Sequence, residues 1–83
     1  MSDRLRVTLA NGQAYHLATA GYEAKVAIFG FNARQPPFAG DFLSTEEGLT
    51  ISRNQIASIC VVDASGNLVQ VETPDFMRQL GWA

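Results

Sequence analysis

The side chains able to carry chemistry are few and dispersed. His16 is the only histidine and Cys60 the only cysteine. One chain therefore has no imidazole pair or thiolate cluster for a structural zinc ion, and it cannot form an internal disulfide. Neither a metal nor another cofactor is expected. A nucleophilic triad needs a nucleophile, a base and an orienting carboxylate, yet there is no Gly-x-Ser-x-Gly elbow, and Ser44, Ser52, Ser58 and Ser65 carry no local cue. Cys60 lies in Ile59-Cys60-Val61-Val62, which reads as a buried strand where a thiol acts as a small hydrophobe. Glu46 and Glu47 fall in an expected turn, where carboxylates are solvated. Asp41 alone sits amid apolar residues, in Phe38-Ala39-Gly40-Asp41-Phe42-Leu43. It would serve as an acid only if burial or a neighbouring charge moved its pKa. Walker and dinucleotide-binding glycine patterns are absent as well. The expectation is a protein that is not an enzyme.

What remains is surface recognition. Phe29, Phe31, Phe38 and Phe42 crowd around Pro36-Pro37, with Arg34 among them. Aromatic residues beside an arginine are the composition enriched at protein interfaces. The expected interface comprises Phe31, Arg34, Pro36, Pro37 and Phe38, joined by Phe76 and Trp82 near the C-terminus. Its partner is another copy of the chain or a different protein, and a homo-oligomer is the first expectation. The alternative is a nucleic-acid face made by Arg4, Arg6 and Arg53 with aromatics for stacking. The formal net charge of −2 works against that alternative, since it supplies no long-range pull toward a polyanion.

These residues must be positioned by a small scaffold. A chain of 83 residues makes one domain and one core, and by size scaling it hides only roughly 60–65% of its unfolded surface. With 47% hydrophobic and 17% charged residues it is too apolar to stay disordered. The N-terminal Met1-Ser2-Asp3-Arg4-Leu5-Arg6 shows no signal-peptide pattern, and no apolar run approaches the roughly 18–20 residues needed to span a bilayer. A cytoplasmic location without membrane contact is expected.

Three short loops ending in glycine, Ala10-Asn11-Gly12, Glu46-Glu47-Gly48 and Ala64-Ser65-Gly66, separate segments of alternating or β-branched residues. All three suit the three-residue hairpin loop whose last position is left-handed. This turn places Val7 opposite Tyr15 and Leu5 opposite Leu17, Leu43 opposite Ile51, and Val61 opposite Val69 with Ile59 opposite Val71. In each hairpin the apolar residues then share a face. Lys25 to Phe31, apolar on both faces, reads as a central strand. Ile51 to Ile56 is too short for an α-helix and suits a single 3₁₀ turn. At the C-terminus, Thr73 can cap a helix that has Pro74 at its first position, Asp75 in its first turn and Gly81 as its stop, giving a short helix at about 74–80.

The junction Ile51 to Ile59 resembles that between the last strands of SH3-like and Sm-like small barrels, where a 3₁₀ turn links the two. No Sm motif pair or SH3 ligand-groove pattern accompanies it. The expected architecture is a mostly β domain over residues 1–83. It would be an antiparallel meander of about six to seven strands, forming an open SH3-like or Sm-like barrel or a strongly bent sheet, with one short C-terminal helix.

Overall fold

The computed structural model describes residues 3–71 and Gln79. The chain runs β1 (Arg4–Leu9), β2 (Ala14–Leu17), α1 (Ala24–Asn32), β3 (Phe42–Ser44), β4 (Thr50–Ser52), a 3₁₀ turn (Arg53–Gln55) and β5 (Ile56–Val62). It is mostly β, with two antiparallel sheets of order β2-β1-β5 and β3-β4.

The three hairpin loops form as their glycines require. In the first, the Leu9 N–H donates to the Gln13 carbonyl at 2.8 Å and the Gly12 N–H to the Leu9 carbonyl at 2.9 Å. Gly12 sits at φ +89°, where any side chain is strained. The second loop repeats this pattern between Thr45 and Leu49, and the third between Asp63 and Asn67. Local side chains reinforce the turns. Asn11 Oδ1 accepts the Gln13 N–H at 3.0 Å, and Asp63 Oδ1 accepts from the Ser65 and Asn67 N–H groups, both at 2.9 Å. The registers follow, with Leu5 opposite Leu17, Val7 opposite Tyr15 and Leu43 opposite Ile51.

The third hairpin is shorter than expected. A single bridge joins Val62 to Leu68, and the Val69 N–H donates to the Val61 carbonyl at 2.8 Å. Ile59 and Val71 pack against the core without extending the ladder. Five strands therefore form among the described residues, where about six or seven were expected.

The segment Lys25 to Phe31 is not a strand. It belongs to α1, whose buried Ala24, Ala27 and Phe31 recur at i, i+3 and i+7, with Ile28 packed beside them. A strand would have put Lys25 on the same face as Ala27 and Phe31, whereas the helix leaves Lys25 exposed. The β-branched and aromatic residues pointed to a strand. The 3.6-residue period governs because Ala24 and Ala27 are small enough for the helix to lie close on β1 and β5.

The helix ends in a Schellman motif. The Gln35 N–H donates to the Gly30 carbonyl at 2.8 Å and the Arg34 N–H to the Phe31 carbonyl at 3.2 Å. Arg34 takes the left-handed position at φ +54°, which glycine usually fills.

The two sheets meet at the end of β2. Leu17 bridges Thr45, the Ala18 N–H donates to the Ser44 carbonyl at 3.0 Å, and the Glu46 N–H donates to the His16 carbonyl at 2.7 Å. The hydrogen-bonded path is thus β4-β3-β2-β1-β5. Among the described residues β4 and β5 do not pair, so no barrel closes. The expected 3₁₀ turn connects them at Arg53–Gln55. Opposite this junction β5 carries a bulge, because Thr8 faces Ser58 and Leu9 faces Ile56, which leaves Ala57 without a counterpart. One core is shared by the two sheets and the helix, with Leu5 and Val7 from β1, Leu17 from β2, Leu43 and Ile51 from the second sheet, Val61 from β5, and Ala27 and Phe31 from α1. The expected helix at about 74–80 lies outside the described residues, except for Gln79, whose backbone is helical.

Candidate protein interface

The loop from Ala33 to Asp41 leaves α1 and returns to β3, and it carries most of the residues expected at an interface. Its Pro36-Pro37 bond is cis, and the Phe38 N–H donates to the Gln35 carbonyl at 2.7 Å. Phe31 and Phe38 do not face solvent, being 8% and 4% exposed as members of the core. The helix turns Phe31 onto the sheet and the loop folds Phe38 into the same core, so neither ring is at the surface where it was expected. Arg34, Pro36 and Pro37 are exposed. Phe76 and Trp82 lie outside the described residues.

Two other aromatics occupy the surface instead. Phe42 is 70% exposed on β3, because its neighbour Leu43 turns inward opposite Ile51 and alternation sends Phe42 outward. Tyr22 is 46% exposed, with its ring centroid 6.2 Å from that of Phe38 at an interplanar angle of 58°. Such tilted contacts are favourable for aromatic quadrupoles, so buried Phe38 holds Tyr22 in place. An open groove of about 230 Å³ runs between Leu17, Ala20, Pro37, Phe38 and Phe42. Among the described residues its lining holds no titratable group.

The three arginines of the nucleic-acid alternative are not gathered on one face. Arg4 and Arg6 project from β1 on the side opposite Leu5 and Val7. Arg4 Nη2 pairs with Glu46 Oε1 at 3.3 Å. Arg53 lies on the helix side, its guanidinium 4.5 Å from the Phe31 ring centre. Its backbone N–H donates to the Asp41 carbonyl at 2.7 Å, its Nε to the Gly40 carbonyl at 3.0 Å, and its Nη1 to the Phe31 carbonyl at 3.4 Å. Arg53 thereby ties the C-terminal turn of α1 to the return of the loop.

His16 meets a carboxylate that sequence proximity does not reveal. Its backbone N–H donates to Glu47 Oε1 at 3.0 Å and its ring Nδ1 lies 2.8 Å from Glu47 Oε2, which requires the proton on Nδ1. Bonding to His16 holds the Glu47 carboxyl below the ordinary carboxylate value. Arg6 stands between His16 and Cys60 in the cross-strand row, and half-buried Cys60 is thus two strands away from the imidazole. Asp41 is exposed, and no group of three or more metal-ligating side chains occurs among the described residues.

The exposure of Phe42 was implied by the Leu43–Ile51 register, since the residue beside an inward leucine must point out. Tyr22 and Glu47 had no local signal, because one depends on how α1 docks and the other on the meeting of β2 with β3. No protein-family model matches the chain, and no curated protein or solved structure matches it significantly.

Proposed function

We propose that the protein is a non-enzymatic interaction module that self-associates through the face formed by Tyr22, Pro37 and Phe42. The observation that carries this reading is Phe42, 70% exposed on a strand and bordering an apolar groove whose other walls are Pro37 and Ala20. Scattered single hydrophobics are ordinary on a surface, whereas exposed Phe42 adjoins a groove that also holds exposed Pro37, and contiguous exposed apolar area is a mark of contact sites. The small core supports the same reading, because a domain of this size gains stability by covering surface with a second copy. The 3₁₀ turn between the last two strands remains in keeping with an open SH3-like or Sm-like barrel, an architecture that suits an adaptor or accessory role. The nucleic-acid alternative draws less support, since Arg4 is paired with Glu46 and Arg53 stands on the other side of the sheet.

Light scattering across a wide concentration range tests the proposal. A dimer or larger species is expected, dispersed by Phe42→Ser with an unchanged circular dichroism spectrum. A monomer at every concentration overturns self-association. Phe38→Ser is a poor probe, because it removes a core ring.

A further inference from the structure

A second cleft, independent of the aromatic face, lies on the helix side of β5. Its volume is about 300 Å³, near the lower limit for ligand sites, and its walls include Phe31, Arg34, Arg53, Ile56, Ser58 and Ile59. Three features set it apart. First, among the described residues Arg53 Nη2 is buried without a hydrogen-bond acceptor, although Nε and Nη1 each have one. Buried donors almost always find partners, and one left unpaired is costly. Second, among the described residues neither Arg34 nor Arg53 has a carboxylate at ion-pair distance. Two guanidinium groups therefore line one small cleft, and among the described residues no carboxylate is at ion-pair distance from either. Burial of Arg53, and then the like charge of Arg34, pull its pKa below the ordinary arginine value, partly offset by Asp41. Guanidinium groups nonetheless stay charged in proteins. Third, Arg34 occupies the left-handed C-terminal position of α1, where glycine is preferred, and so holds an arginine at the cleft at a conformational cost.

We infer that this cleft binds an oxyanion, a carboxylate or phosphate group borne on a small apolar body, between Arg34 and Arg53. The guanidinium fork is suited to either group and can hold it through two parallel N–H···O bonds. Nη2 is buried at the edge of the cleft, so an entering oxygen reaches it only as the side chains lining the cleft shift. The Nη2 donor has already lost its water on folding, and an entering oxygen supplies the missing acceptor. The side chains of Phe31, Ile56 and Ile59 supply the apolar contacts. The larger hollow of about 600 Å³ at the start of α1 is a poorer candidate, because Asp3 and Glu23 on its walls outnumber its one cation, Lys25.

The test uses inorganic phosphate and capped glutamate as separate probes. Backbone amide shifts of the full chain are followed by NMR, with sodium chloride titrated in parallel as the ionic-strength control. Saturable shifts at Arg34 and at Ile56 to Ile59 are expected with at least one probe. Preference for phosphate identifies a phosphorylated small molecule, and preference for capped glutamate identifies an acidic side chain or other carboxylate. Arg34→Gly is the decisive variant. It relieves the left-handed strain and so raises the melting temperature, while it weakens binding by roughly tenfold or more. Equal affinity in this variant, or shifts that merely follow sodium chloride, overturn the inference.

Discussion

Glu47 shows how one turn residue couples two strands to pH. Its carboxylate receives two hydrogen bonds from His16, and this bonding depresses its pKa below the ordinary value of 4.5. A carboxyl with a lowered folded pKa contributes stability fully above its unfolded value and loses it as pH falls through the folded value. Glu47→Gln removes this acid-sensitive part. Plotted against pH, the wild-type melting temperature is expected to fall more steeply below 4.5 than that of the variant. The difference is small, because a largely exposed pair is worth about 0.2–1 kcal/mol. Parallel curves overturn the coupling. Arg53 has more weight, since its guanidinium joins two carbonyls and an aromatic face in one place. Arg53→Ala is expected to cost about 1–3 kcal/mol in urea denaturation, and a change below about 0.5 kcal/mol would show that the carbonyls find equivalent partners in water.

Among the elements, the hairpins were the most legible in the sequence. Turn chemistry and side-chain phase are both local properties, and they agreed at Gly12, Gly48 and Gly66. Gly48→Ala, at φ +90°, is therefore expected to destabilise by about 1 kcal/mol, read from the shift in denaturation midpoint. The helix was not legible, because Val26, Ile28, Phe29 and Phe31 satisfy a strand pattern as readily as a helical one. What decides between them is packing on β1 and β5, which a local window does not contain. Ala27, 1% exposed, is the close-contact point of that packing. Ala27→Leu is expected to overpack the interface and cost about 1–3 kcal/mol, and tolerance of leucine there would mean that the helix stands further from the sheet. The candidate face divides in the same way. Phe42 follows from strand parity, whereas Tyr22 and the pairing of Arg34 with Arg53 in one cleft arise only after the helix is placed.

At the scale of the molecule, the two sheets share a core. Leu43 and Ile51 of the second sheet belong to the same cluster as Leu5, Val7 and Val61 of the first. Unfolding is accordingly expected to be a single cooperative event, with far-ultraviolet circular dichroism and tyrosine fluorescence giving coincident urea transitions. An earlier transition by one probe would show that β3-β4 melts as a separate unit. The strand path also fixes an order of events. β1 is flanked by β2, its immediate successor, and by β5, the last strand described. During synthesis the first hairpin can form almost at once, but one side of β1 must wait for most of the chain to emerge. Throughout that interval an uncovered row of amides is available to neighbouring nascent chains. Arg4 and Arg6, alternating along β1, place positive charge beside it, and such charge discourages strand pairing between chains. Two arginines that contribute little to the finished core are thus expected to matter most before β5 arrives, and replacing both with threonine is expected to lower soluble yield more than the melting temperature.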